Sequence, residues 1–154
     1  MIVPYTPKQN GVAERKNRSI LGATRAMLHD QYLPFLLWAE ACSTVVYLQN
    51  RSCHRAMGNM TLEESFTGKK PEVSHFRIFG WLTYSHVPSE KRTKLDPTVE
   101  NGIFVGYDET SKAFHIYLPS LSKFIVRRDV KFEEEWAFKK SRELEQGEQQ
   151  VPAP

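Results

Sequence analysis

The sequence predicts an α+β fold, in which helices occupy the first 68 residues and a small antiparallel β-barrel follows. Apolar residues recur at helical spacing as far as about residue 50, whereas short alternating segments rich in aromatic and β-branched residues begin near His75. The chain has 154 residues, of which 40% are hydrophobic, so it contains enough apolar material for one ordinary domain or two small ones.

The first helix is predicted from Asn10, a suitable N-cap, to about Asp30, because turn signals at Thr6-Pro7 and Asn10-Gly11 precede it. Helical spacing divides its side chains between two faces. The apolar face carries Val12, Ile20, Ala23 and Met27, and the outer face carries Glu14, Arg18 and Arg25.

The segment LPFLLWAEACSTVVYLQNRS predicts a second helix, with Pro34 in its first turn. Apolar residues surround this helix on nearly every side, so we expect it to be buried all round. A short third helix is predicted after Thr61, which has capping-box spacing with Glu64, and Gly68 and Pro71 mark its end.

Four later segments predict short antiparallel strands, a pattern typical of a small barrel. They are FRIFGWLTYSHV, NGIFVGYD, AFHIYLP and KFIVRRDVKFEE. Ile103, Val105 and Tyr107 share one side of the second segment, and Phe114, Ile116 and Leu118 share one side of the third. The polar residues 136–154 contain too little apolar material to fold, so we expect a disordered tail.

Charge is unevenly distributed along the chain, although the formal net charge is only +3. The first thirty residues contain five Lys or Arg, and Glu is frequent after Val130. The basic segment favours an anionic partner, with nucleic acid the first candidate. Cys42 and Cys53 have neither disulfide nor zinc spacing. No signal peptide or membrane-length apolar run is evident, so we expect an intracellular protein with no membrane contact.

Several motifs occur together and in order: YTPKQNGVAERKNRSILGATRAML, LPFLLWAEA, TGKKPEVSHFRIFGWLTY, GIFVGYDETSKAFHIY and RRDVKFEE. They resemble the integrase region of a copia-type long-terminal-repeat retrotransposon polyprotein. The resemblance implies that residues 1–68 are a helical, C-terminal remnant of an RNase H-like integrase core. Residues 69–135 would then form the SH3-like domain of these polyproteins, with 136–154 as the tail.

The resemblance also assigns a role to Glu14. In the family, the NGVAERKN segment supplies the glutamate of an Asp-Asp-Glu triad, which binds Mg²⁺ or Mn²⁺ and transfers DNA strands in the nucleus. Two-metal phosphoryl transfer needs several oxygen ligands in fixed geometry, yet no Asp precedes Glu14 in this sequence. We therefore expect this chain alone to bind no metal and to be inactive, unless the aspartates are encoded upstream of Met1.

The N-terminal basic residues are predicted to bind DNA weakly and without sequence preference, by neutralising phosphates. They are Lys8, Arg15, Lys16, Arg18 and Arg25. The alternative is a solvated helix face on which Glu14 and Arg18 form an i, i+4 ion pair. A second basic group is open to the same two interpretations and flanks the predicted barrel. It consists of Lys69, Lys70, Lys91, Arg92 and Lys94.

An SH3-like module that binds peptides or proteins is the alternative class of function, because such barrels gather exposed aromatic rings into grooves or cages. This alternative requires Trp81, Tyr84 and Tyr107 to lie together on the surface. Core packing is the competing role for aromatic residues in so small a barrel.

The second helix carries a further expectation. If the core sheet of an RNase H-like fold is absent, part of the apolar surface of this helix remains uncovered. We expect an exposed apolar patch around Phe35, Trp38 and Val45, through which the chain self-associates.

Overall fold

The structure is a computed structural model that describes residues 7–95 and 97–137, with side-chain positions for all of these except 7–9, 91 and 134–137. Within this part of the chain, three α-helices and a small hairpin precede a five-stranded antiparallel sheet. The predicted α+β class is therefore correct.

The first helix, α1, spans Pro7–Asp30 and so begins three residues before the predicted N-cap. Pro7 suits the first helical position, because its missing N–H would have no intrahelical partner there. The prediction of Asn10 as the N-cap is therefore wrong. A 3₁₀ turn at Phe35–Leu37 follows Pro34 and leads into the second helix, α2, which spans Trp38–Asn50.

The segment that contains α2 is buried on one side only. Leu37 and Ala41 are inaccessible to solvent, whereas Phe35 is 72% exposed and Trp38 is 48% exposed. The prediction of burial all round is wrong, because the sheet and α1 do not surround this segment. The apolar patch includes Phe35 and Trp38 as expected but not Val45, which is buried.

A short hairpin joins β1 (Cys53–His54) to β2 (Met60–Thr61), and the third helix, α3 (Leu62–Thr67), follows it. The side chain of Thr61 accepts a hydrogen bond of 3.0 Å from the backbone N–H of Glu64. Gly68 ends the helix in the left-handed region, at φ 72°. The predicted cap and the predicted end of this helix are both confirmed.

The sheet consists of β3 (Trp81–His86), β4 (Val99–Tyr107), β5 (Phe114–Leu118), β6 (Lys123–Arg127) and β7 (Val130–Ala137). The strand order is β6-β5-β4-β3-β7, and all neighbouring strands are antiparallel. Strands β6 and β7 are the two edges, and no ladder joins them in the described part of the chain.

Two predicted strand boundaries differ from the structure. Residues 76–80 are not extended into the sheet, because Gly80 adopts φ 87° immediately before β3. The last predicted segment forms two strands, β6 and β7, separated by Arg128 and Asp129. Strand β7 continues through Ala137, and the rest of the predicted tail lies outside the described residues.

Apolar side chains cover both faces of the sheet. Ile103 and Val105 face the helices and share a core cluster with Leu37 and Ala41. The other face is lined by Ile116, Leu118 and Ile125, together with the edge-to-face rings of Phe104, Phe114 and Phe132. The alternation predicted for β5, and for Ile103 and Val105 of β4, is confirmed. The prediction that Tyr107 shares their side is wrong, because the register shift between Phe104 and Gly106 places Tyr107 beside Phe114 on the other face.

Candidate functional site

Helix α1 carries a stripe of three exposed arginines, which we call the arginine stripe. Its members, Arg15, Arg18 and Arg25, are three and seven residues apart, so they project from one side of the helix. The half-buried Ile20 and Met27 lie on the opposite side. At 1.5 Å per residue the stripe is about 15 Å long, which corresponds to roughly four base steps of one DNA strand.

The other two predicted basic residues of this segment do not belong to the stripe. Lys16 lies toward α2, where its Nζ donates a hydrogen bond of 3.0 Å to Oε1 of Gln49. Helix α1 starts nine residues before Lys16, whereas α2 ends one residue after Gln49. The first turns of α1 therefore project past the end of α2. The side chain of Lys8 lies outside the described part of the structure.

Glu14 is exposed beside the stripe, four residues before Arg18. Among the described residues it has no ion-pair partner, so the predicted ion pair between Glu14 and Arg18 is not formed. Among the side chains that the structure describes, no three His, Cys, Asp or Glu form a group that could hold a metal ion. The described residues therefore do not fit a two-metal site.

The second predicted basic group is divided between two surface segments. Lys69 and Lys70 follow α3, whereas Arg92 and Lys94 lie in the connection between β3 and β4. Arg92 donates a hydrogen bond of 3.2 Å to the hydroxyl of Thr98. The side chain of Lys91 lies outside the described set.

The three aromatic residues proposed for an SH3-like groove do not lie together. Tyr107 is only 8% exposed, and its hydroxyl accepts a hydrogen bond of 2.9 Å from the backbone N–H of Arg77. Trp81 is half-buried in a shallow depression that Ile78 also lines, and Tyr84 lies beside Lys131 in the sheet register. These three rings therefore do not build a common surface groove.

A cleft of about 270 Å³ lies between α2 and the turn after β4, and we call it the aromatic cleft. Tyr47 stacks on Tyr107, with ring centroids 4.5 Å apart and an interplanar angle of 16°. The guanidinium of Arg51 lies 3.7 Å from the centroid of the Tyr47 ring and pairs with Glu63 at 2.9 Å. Nε2 of His75 lies 2.8 Å from the Tyr47 hydroxyl.

No local signal predicted this cleft, because its walls come from distant parts of the sequence. Tyr47 and Tyr107 are sixty residues apart, and only the packing of α2 against the sheet brings them together. The turn signal in DETS, residues 108–111, predicted the turn that forms the outer wall of the cleft. It did not indicate that this turn would face α2.

Asp108 orders the turn that forms this outer wall. Its carboxylate accepts a hydrogen bond of 2.7 Å from the backbone N–H of Ser111, and further hydrogen bonds from the hydroxyls of Ser111 and Thr110. The Ser111 hydroxyl is the main cause that lowers the pKa of Asp108 below its usual value. Asp108 is therefore negatively charged at neutral pH.

Burial changes the ionisation of the rings in the aromatic cleft. It raises the pKa of Tyr47 and of Tyr107 above the usual value, so both hydroxyls remain protonated at neutral pH. Burial also lowers the pKa of His75, and the positive charge of Arg51 lowers it further. His75 is therefore uncharged at neutral pH.

A second set of contacts joins the same turn to α2. Nδ1 of His115 lies 2.9 Å from Oε2 of Glu40, and Nε2 of His115 lies 4.0 Å from Oδ1 of Asp108. Gly106 permits this approach, since a Cβ there would lie 3.1 Å from the Thr44 hydroxyl and 3.3 Å from Oε2 of Glu40. The helices and the sheet are thus joined by polar contacts as well as by the shared core.

Comparison with known proteins identifies the class to which the sheet belongs. Residues 82–146 match the retroviral polymerase SH3-like domain family. The match begins in β3 and includes β4, β5, β6 and β7, so the five-stranded sheet lies within it apart from Trp81. The chain therefore carries a retroviral polymerase SH3-like domain.

Similarity to longer proteins extends over the helices as well. The chain is 42% identical over 132 residues, 86% of its length, to the retrovirus-related Pol polyprotein from transposon TNT 1-94 of Nicotiana tabacum. It is 29% identical over 131 residues, 85% of its length, to the retrovirus-related Pol polyprotein from transposon RE1 of Arabidopsis thaliana. Over most of its length the chain is therefore similar to one part of these retrovirus-related Pol polyproteins, which confirms the resemblance to a retrotransposon polyprotein.

The matched region is a small part of each relative. The chain covers 10% of the Nicotiana polyprotein and 9% of the Arabidopsis polyprotein. No solved structure matches the chain. Among the helices in the described part of the chain, none is long and apolar enough to cross a membrane.

Proposed function

We propose that this chain is the part of a copia-type integrase in which the end of an RNase H-like core joins the SH3-like domain. The similarity to a Pol polyprotein over 86% of the chain supports this, because it extends beyond the SH3-like domain into the helical region. In this proposal α1 and α2 derive from the catalytic core. They pack on the sheet through one shared cluster that contains Leu28 of α1, Ala41 of α2 and Ile103 of β4.

The function that we propose for the segment is weak, non-specific binding of DNA. The observation that carries it is the arginine stripe, whose three side chains are exposed on one side of a helix that projects past its neighbour. Guanidinium groups bind phosphate through paired hydrogen bonds. Phosphate contacts carry no sequence information, and their expected Kd is around 10⁻⁴–10⁻⁶ M at physiological salt.

Glu14 opposes this binding in the isolated segment. Its carboxylate lies beside the stripe without an ion-pair partner among the described residues, so it repels an approaching phosphate. In the family that the sequence resembles, this glutamate is one of three metal ligands. The described residues supply no group of ligands around it. We therefore propose that the chain by itself does not transfer DNA strands.

Fluorescence anisotropy with several unrelated duplexes at a series of salt concentrations tests the binding. For wild type, log affinity should fall linearly with log salt. Arg18→Ala should weaken binding to every duplex alike and reduce the salt slope by about 0.9. Glu14→Gln should strengthen binding slightly. Arg128→Ala, which changes an exposed arginine between β6 and β7, is the matched control and should have no effect.

Salt-independent binding, or an Arg18→Ala variant that binds DNA as wild type does, would show that the arginine stripe is not the DNA contact.

Catalysis is tested separately, by incubating the chain with a fluorescent donor-end duplex and Mg²⁺ or Mn²⁺. We expect neither cleavage nor joining. Either activity, if abolished by Glu14→Gln, would contradict the proposed inactivity.

A further inference from the structure

The aromatic cleft has a charge opposite in sign to that of the chain as a whole. Its charged lining consists of the carboxylates of Glu63, Glu72, Asp108 and Glu109 and the cations of Arg51 and Lys112. With His75 uncharged, the formal charge of the lining is −2, whereas the chain carries +3. The cleft is therefore an acidic, ring-lined recess in a basic protein.

We propose that the aromatic cleft binds the cationic side chain of a lysine or arginine in a basic peptide segment. Its rings offer apolar edges to the aliphatic part of such a side chain, and its carboxylates offer partners to the charged end. The volume of about 270 Å³ lies just below the range of about 300–1,000 Å³ that small-molecule pockets occupy. This size suits one side chain.

Arg51 shows that the cleft can hold a cation of this kind. Its guanidinium lies over the Tyr47 ring and pairs with Glu63, and its side chain is only 20% exposed. An internal arginine thus already uses one ring face and one carboxylate. Arg51 and Tyr107 cover the two faces of Tyr47, so an incoming side chain would contact the remaining ring edges and the carboxylates that Arg51 does not use.

Two carboxylates at the mouth remain available for such a ligand. Glu109 is exposed and has no ion-pair partner among the described residues. Glu72 lies 3.6 Å from Lys112, but these side chains are 67% and 93% exposed, so water screens this pair strongly. An incoming cation can therefore replace Lys112 as the partner of Glu72.

An anionic ligand is disfavoured by the same groups. A phosphate or a carboxylate in the cleft would face four negative side chains, of which Glu109 and Asp108 are unneutralised by any lysine or arginine in the described part of the chain. The cleft and the arginine stripe are thus suited to ligands of opposite charge. Their functions can be tested independently.

The test is an NMR titration of the isotope-labelled, 154-residue chain with four capped pentapeptides, in which lysine, arginine, glutamine or glutamate stands between two pairs of glycines. The lysine and arginine peptides should shift the ring resonances of His75 and Tyr107, and the other two should not. Glu109→Gln should weaken binding of the cationic peptides roughly two- to fivefold, the effect of one exposed charge. Glu90→Gln, at an exposed site between β3 and β4, is the control and should change nothing.

Arg51→Gln provides a test with the opposite sign. It removes the resident cation, so the cationic peptides should bind more tightly, and Arg18→Ala should leave their affinity unchanged. Equal shifts from the glutamine or glutamate peptide would overturn the proposal. Unchanged affinity in Glu109→Gln would do the same, and so would His75 and Tyr107 shifts produced by a DNA duplex and by no peptide.

Discussion

The hydroxyl of Thr44 on α2 donates a hydrogen bond of 2.9 Å to the carbonyl oxygen of Val105 on β4. The register between β4 and β5 shifts between Phe104 and Gly106, so the sheet ladder does not pair Val105 with a residue of β5. Thr44 is 2% exposed and Val105 is inaccessible. The Thr44 hydroxyl thus hydrogen-bonds to a carbonyl at the bulge in β4, and this bond links α2 to the sheet.

Replacing Thr44 with valine keeps the shape of the side chain but removes the donor. The carbonyl of Val105 would then be buried without a partner, so we expect the free energy of unfolding to fall by about 1–3 kcal/mol. Urea denaturation followed by tryptophan fluorescence measures this change. Ser43→Ala, at the exposed neighbouring position on α2, is the control and should change it by less than about 0.5 kcal/mol. Equal losses in both variants would contradict the role of the bond.

Alanine at two glycines should have opposite effects on stability. A Cβ at Gly102 of β4 would overlap a methyl group of Ile116, so we expect Gly102→Ala to cost about 1–3 kcal/mol through overpacking. Gly22 lies within α1, and a Cβ there would meet nothing within 4 Å. Gly22→Ala should therefore stabilise the chain by about 0.5–1 kcal/mol. Thermal unfolding measures whether each variant is more or less stable than wild type. A Gly102→Ala variant as stable as wild type would show that β4 and β5 are loosely packed.

The features that the sequence predicted correctly depend on a few neighbouring residues. The cap of α3 requires only Thr61 and Glu64, which are in contact as soon as the helix forms. The alternation of Ile103 and Phe104 between the two faces of the sheet follows from the geometry of a single strand. The start of α1 was predicted wrongly, although it also depends on neighbouring residues. Pro7 and Asn10 both suit the start of a helix, and the sequence alone does not decide between them.

The features that the sequence did not predict depend on packing between distant segments. Burial of Val45 and exposure of Phe35 follow from the side on which α2 meets the sheet, which helical periodicity alone does not define. The aromatic cleft is of the same kind, since Tyr47 and His75 face β4 only after the layers pack. Helical spacing predicted the exposed face of α1 that carries Arg18 and Arg25, whereas the contact of Lys16 with Gln49 of α2 depends on packing and was not predicted.

The exposed apolar patch should make the chain self-associate. Phe35 is 72% exposed and Leu36 is 55% exposed, and burying such side chains between two copies is favourable. We expect Phe35→Ser to raise the dissociation constant for self-association at least several-fold, as measured by sedimentation velocity over a concentration series. Phe66→Ser, which changes an even more exposed phenylalanine on α3, is the control and should have no effect. A wild-type chain that stays monomeric at high concentration would contradict this expectation.

The stability of the chain should depend on the ionisation of His75. Burial is the main cause that lowers the pKa of His75, and the positive charge of Arg51 adds to it. Between this lowered value and the unfolded value of about 6.5, the unfolded chain binds more protons than the folded chain does. The free energy of unfolding should therefore be highest above about pH 6.5 and should fall as the pH decreases below it. The lowered pKa values of Asp108 and Glu72 affect stability only at more acidic pH, since the usual values are 3.8 and 4.5.

His75→Gln keeps a polar partner for the Tyr47 hydroxyl and removes the titrating group. A plot of its free energy of unfolding, from urea denaturation, against pH should therefore be flatter than that of wild type between about pH 7.5 and 5. His86→Gln, at an exposed position on β3, should retain the wild-type slope. If His75→Gln and wild type had the same slope, or if an NMR titration placed the pKa of His75 above that of an unfolded histidine, the assigned effect of burial would be wrong.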